Sequence, residues 1–247
     1  ALRQQYLFII IKKESYNIIV LKLRIIVGWW MNNQSRQALW LALAGSIVLM
    51  IGMGYGRFAF TGVLPLMLNE GLLTLHEGNL AASANYAGYL IGALLLARVQ
   101  PGAATRLSII SAGLTIASLA LLAWVSSPWT IITLRAVAGA LSAITLIAGS
   151  LWLLEHMGHH HGAPLLYAGV GLGIFISAEG IALGHALSLT SQQIWLLCAL
   201  CAGLLLALAI RWLLTPPAAL VRVSHVETSL PASGSDTRRA AWRLLMV

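Results

Sequence analysis

The amino-acid sequence predicts an all-α membrane protein with six transmembrane helices, on three observations. Of its 247 residues 59% are hydrophobic and only 9% charged, far below the roughly 25% charge of a water-soluble domain. Apolar stretches near the roughly 20 residues that a helix needs to cross a hydrocarbon core of about 30 Å recur along the chain. Lys and Arg are also missing from the three loops that this reading puts outside, and such asymmetry orients a membrane protein.

The first span is read at Ala38 to Leu66. It is longer than a bilayer needs, so it must tilt or stop near Pro65. Asn69-Glu70-Gly71 breaks the chain before a second span at Ala81 to Ala97. Arg98 to Arg106, with Pro101-Gly102, separates that from a third at Leu107 to Trp124. Ser126-Ser127-Pro128 precedes a fourth at Trp129 to Leu151, and the polar run Glu155 to Ala163 precedes a fifth at Pro164 to Leu187. Ser188 to Gln193 leads into a sixth at Ser191 to Leu214. Each break carries the Gly, Pro, Ser or Asn residues, or the charges, that punctuate helices.

Thirteen of the fifteen Lys and Arg residues fall on one side of this arrangement. Arg3, Lys12, Lys13, Lys22, Arg24 and Arg36 precede the first span, Arg98 and Arg106 flank the second loop, and Arg211, Arg222, Arg238, Arg239 and Arg243 follow the sixth. Both ends are therefore expected in the cytoplasm. The formal charge of +8 reads as a topology and anionic-lipid signal, and its placement argues against nucleic acid as a partner. Trp29, Trp30, Trp40, Trp124, Trp129, Trp152 and Trp212 lie near span ends, where indole rings favour the headgroup level. Cys198 and Cys201 lie in the sixth span, where thiols act as small hydrophobes.

The ends differ from the bundle at 31–214. Residues 1–30 are rich in Ile and Lys, too charged for a span, and lack a small-residue cleavage site. An interfacial amphipathic segment is one reading of them; the favoured one is upstream sequence ahead of a natural start at Met31. Residues 215–240 form a polar cytoplasmic linker with Pro216, Pro217, Pro231 and Gly234, and 241–247 read as the start of a truncated seventh span.

Ionisable groups at membrane depth are costly and mark pathways. Arg57 in the first span, Arg135 in the fourth and Glu179 in the fifth each fall roughly 5 to 8 Å from the midplane, all toward the outer side. They are the candidate substrate or proton pathway, with Glu179 expected to pair with an arginine; the alternative is a structural ion pair with Arg57 snorkelling outward. Gly52 and Gly56, Gly139, and Gly169 and Gly173 are the candidate helix-packing residues, because small residues let membrane helices approach closely.

The run Glu155-His156-Met157-Gly158-His159-His160-His161 resembles one histidine box of the membrane di-iron enzymes, and a membrane-embedded metal enzyme using His156–His161 is the alternative function. Only His76, His185 and His225 lie elsewhere, too few to complete such a centre, so no metal site and no cofactor are expected. No nucleotide-binding motif is present either.

Gly54-Tyr55-Gly56-Arg57-Phe58-Ala59-Phe60-Thr61-Gly62-Val63-Leu64-Pro65-Leu66-Met67, the Arg135-x-x-x-Gly139 of the fourth span and the glycine-rich fifth span resemble the N-terminal half of a major facilitator superfamily transporter of the YbfB/YjiJ group. The resemblance covers about Met31 to Pro217. It implies one six-helix half of that fold, built of two three-helix repeats, with a partner half after the linker or a second copy. It implies a secondary transporter in the bacterial inner membrane, not an enzyme, that moves a small molecule by alternating access, with protons as the coupling ion and Arg135 as the fourth-span arginine associated with that coupling. The loop between the second and third spans departs from the family's Gly-x-x-x-Asp-Arg/Lys-x-Gly latch: Leu96 takes the acidic position after Gly92.

Overall fold

Apolar length and turn chemistry build an all-helical structure. The computed structural model describes residues 33–216, with side chains from residue 36. The segments expected at 1–30 and 241–247 lie outside the described residues, as do Trp29, Trp30 and all of the linker beyond Pro216. Among the described residues there is no strand.

α1 (Asn33–Leu49) runs without a break through a π-helical stretch, Met50–Phe58, into α2 (Ala59–Asn69). The helix passes through Pro65 rather than stopping there. Such a proline is tolerated in membrane helices because neighbouring groups and local π adjustments re-satisfy the backbone. Arg36–Asn69 is therefore one continuous span of 34 residues, roughly 50 Å long. α3 (Leu75–Leu95) starts six residues before the expected Ala81, because Thr74 and Glu77 form a reciprocal capping box. A 3₁₀ turn at Pro101–Ala103 leads into α4 (Ala104–Leu122). α5 (Pro128–Ser150) begins on a proline, which costs no hydrogen bond at the first helical position. It continues through a second π-helical stretch, Leu151–His156. α6 (Ala163–Ala186) and α7 (Ser191–Leu213) follow, the latter capped by Thr190 and Gln193.

Among the described residues, five helical stretches are long and apolar enough to cross a membrane, against the six expected. The exception is α3, whose 21 residues reach about 31 Å but include Asn79, Ser83, Asn85, Tyr86 and Tyr89. What it lacks in apolarity it recovers in contact: α3 lies along α5 in the most extensive helix pair of the fold.

The chain divides into two units, Ala1–Leu214 and Thr215–Val247, and every helix described belongs to the first. At its centre is the π-helical stretch Met50–Phe58, which touches α4, α5, α6 and α7. Phe60 and Trp195 stack beside it with ring centroids 6.4 Å apart. Trp152, expected at the headgroup level, is fully buried. The helix does not end at Leu151 but continues to His156, which turns the indole inward against the turn at Gly45. Along α4 the hydroxyls of Ser111, Thr115 and Ser118 are buried and donate to carbonyls one turn back in the same helix, so these three enter the core with partners, while the buried Ser108 hydroxyl has none among the described residues.

Candidate functional site

Glycine at positions 52, 54 and 56 removes side-chain bulk from alternate positions in the middle of the first span, and there the backbone leaves α-helical register. Ala59 closes the π-helical stretch with an N–H donated five residues back, to the Gly54 carbonyl. Such insertions in a helix free carbonyls and concentrate at functional sites. A Cβ on Gly54 would lie 2.3 Å from the Gly173 carbonyl carbon, and one on Gly52 2.6 Å from the Thr145 side chain. On Gly56 it would meet Thr115 at 2.7 Å, and on Gly169 the Ser46 carbonyl oxygen at 2.2 Å. The approach of α6, α5 and α4 to this stretch therefore depends on hydrogen in place of a side chain.

Arg135 of α5 reaches the end of the π-helical stretch. It is only 1% exposed. Its two terminal nitrogens donate to the carbonyls of Gly56 at 2.8 Å and Arg57 at 2.9 Å, and its guanidinium lies over the Phe60 ring, 4.5 Å from the centroid. Nε has no hydrogen-bond partner. The planar fork suits two successive carbonyls in a way that an ammonium cannot. Behind it, the Asn85 amide of α3 donates to the Arg135 carbonyl at 2.9 Å, and a Cβ on Gly139 would lie 2.0 Å from the Asn85 oxygen.

Arg57 itself is half-buried and held differently. Its guanidinium lies 4.2 Å from the ring centroid of Tyr89, 4.9 Å from Tyr86 and 5.6 Å from Phe58. No hydrogen bond or ion pair from this guanidinium is found among the described residues. Cation–π attraction places the charge without using up its N–H donors.

Of the three residues expected to share a layer, the fold brings Arg57 and Arg135 together. Glu179 does not pair with either: it is exposed on α6, and among the described residues it makes no ion pair. The two terminal nitrogens of Arg135 are held by backbone carbonyls and the Arg57 faces by rings, so neither arginine needs a carboxylate to be held. By position along their spans all three sit toward one end, roughly 7 to 10 Å from the middle. That end is fixed by Glu70, whose carboxylate accepts from the Ser191 N–H at 2.8 Å and from the Ser191 hydroxyl, tying the close of α2 to the start of α7.

Asn85, Tyr86 and Tyr89 were not singled out from sequence. The readable signal was there: an amide inside an apolar stretch is as anomalous as a charge, and Asn85-Tyr86-x-x-Tyr89 sets three polar-tipped side chains on adjacent turns. The histidine loop gathers nothing comparable. Among the described residues, no three His, Cys, Asp or Glu side chains come together as a ligand set. His159 is half-buried, and that burial, reinforced by the neighbouring His161 and His160, holds its imidazole below the ordinary value of 6.5.

A protein-family model described as "Uncharacterised MFS-type transporter YbfB" matches residues 49–247. No curated protein matches, and no solved structure matches.

Proposed function

Because the chain belongs to the family of the uncharacterised MFS-type transporter YbfB, and is thus a multi-pass membrane transporter, we propose that it moves a small solute across the bacterial inner membrane by alternating access. In this reading six helices cross the membrane, α3 among them, with both termini in the cytoplasm. The bundle rocks against an opposing one, supplied either by a second set of helices after residues 215–247 or by a second copy of the chain.

The observation that carries the reading is the polar layer around Arg57. A half-buried guanidinium sits beside a fully buried one, at a depth where either costs roughly 2.5–3.5 kcal/mol on insertion scales. Glu179 adds to it. An exposed carboxylate at membrane depth is too costly against acyl chains, so its face of α6 turns toward a polar path or the opposing bundle. Protonation of Glu179 would cancel its attraction to the arginine layer, a change that a proton and a solute can both bias.

Glu179→Gln in the complete protein tests the coupling. In proteoliposomes with an imposed proton gradient, the variant should lose the gradient-driven part of solute flux and keep exchange between equal concentrations. Gradient-driven flux at the level of the parent protein would remove Glu179 from the mechanism.

A further inference from the structure

The two arginines of this layer have different jobs, and the difference names the class of solute. Resting on the transport reading above, we propose that the solute is a small anion whose carboxylate or phosphate oxygens are bound by the Arg57 guanidinium, and that Arg135 is a positioning residue that never touches it.

Arg135 is enclosed on every side, donating to the Gly56 and Arg57 carbonyls and covered by Phe60. It therefore fixes the backbone from which the Arg57 side chain leaves. Arg57 has the opposite character. Tyr86 and Tyr89 attract its charge through their ring faces, while its N–H groups bond to no described residue. Tyr86 is 61% exposed, so the pair of rings and the cation form an open edge of the bundle rather than part of its sealed core. A guanidinium whose donors no described residue takes, in surroundings of low dielectric, matches a planar two-oxygen acceptor in charge and shape.

Charge balance points the same way. The described residues hold four carboxylates, Glu70, Glu77, Glu155 and Glu179. Glu70 is engaged with Ser191 and Glu77 with Thr74, while Glu155 lies at the opposite end of α5 from Arg135. Glu179 bonds to neither arginine. Among the described residues the layer therefore has two cations and no bonded counter-charge, which attracts an anion and repels a cation of equal size.

The test uses the complete protein in nanodiscs and proteoliposomes at fixed ionic strength. Equilibrium binding and flux are measured for succinate, benzoate and inorganic phosphate against tetraethylammonium and glucose. The expected result is binding of at least one of the three anions, weakened about tenfold or more by Arg57→Gln and retained in part by Arg57→Lys, which keeps the charge without the fork. Arg135→Lys should weaken anion binding even at temperatures where the variant elutes as folded protein, without altering the preference for anion over cation; a merely structural role would lower thermal stability alone. If Arg57→Gln does not fold, the comparison rests on Arg57→Lys and on Tyr89→Leu, which removes the ring under the guanidinium and should also weaken anion binding. Failure of all three anions to bind, or anion binding unchanged in the Arg57 and Tyr89 variants, overturns the inference. Flux of tetraethylammonium or glucose in place of the anions overturns it while leaving transport standing. Binding of an anion that depends on Arg57, with no flux of any probe, keeps the site and removes the transport reading.

Discussion

A single guanidinium shows what one side chain contributes here. Arg135 joins α5 to the first span through two bonds to main-chain oxygen, each of a kind worth about 1.5–3 kcal/mol when one partner is charged. Sequence could identify Arg135 and Arg57 as anomalous, because charge inside an apolar stretch is visible without coordinates. It could not supply their partners. Carbonyls carry no signature in the sequence, and the rings of Tyr86 and Tyr89 come from a different helix. The expectation that a carboxylate would hold an arginine came from matching opposite charges, when backbone and aromatic faces do that work. At the same scale, His159 gives a pH response with a definite sign. Its imidazole titrates below 6.5 in the folded protein because it is half-buried among other histidines. As pH falls through 6.5 the unfolded chain takes up a proton that the folded chain still refuses, so stability falls with pH until the folded imidazole is itself charged. Thermal unfolding of the purified protein from about pH 8 to about pH 5 should show this loss, and His159→Gln should flatten it. An unchanged pH profile in the variant would place the dependence elsewhere.

Between elements, the limiting quantity is the distance of backbone from backbone. On α3, a Cβ at Gly88 would sit 1.9 Å from the Ala136 oxygen; across the same interface, one at Gly139 would sit 2.0 Å from the Asn85 oxygen. Main-chain atoms cannot swing aside as a flexible side chain can. Gly139→Ala should therefore push α3 off α5, lengthen the bond from Asn85 to the Arg135 carbonyl, and destabilise the protein by about 2 kcal/mol or more. Gly180→Ala, where nothing lies within 4 Å of the new atom, should be neutral or stabilising by up to about 1 kcal/mol. Melting temperatures in one detergent compare the two directly; equal losses would deny the steric account. The first span is also tied to α7 at both ends, by Trp40 stacked on Trp212 with centroids 5.7 Å apart and by Glu70 on Ser191. Element positions were largely legible, since apolar length and turn residues mark them. The early start of α3 was legible too, in Thr74-x-x-Glu77, but the apolar run outweighed the capping pattern. The π-helical stretches were not: three alternate glycines permit one, and only packing against four other helices decides that it forms.

For the whole molecule, all-helical architecture and the transporter family follow from features spread over most of the chain, which is why the sequence alone reached them. Orientation rests on where cations are absent. In intact cells, and with Cys198 and Cys201 replaced by Ala, a cysteine introduced at Ser126 should react with a membrane-impermeant maleimide added outside. One introduced at Gly102 should react only after permeabilisation. The reverse pattern would invert the topology. α3 bears on how such a chain enters a bilayer at all. Alone it offers lipid the unsheltered amides of Asn79 and Asn85, and the partner that covers Asn85 is synthesised fifty residues later. On the six-span reading, α3 is therefore expected to wait beside the translocon, or at the membrane surface, until α5 emerges, so that α3, α4 and α5 enter as one group rather than one after another.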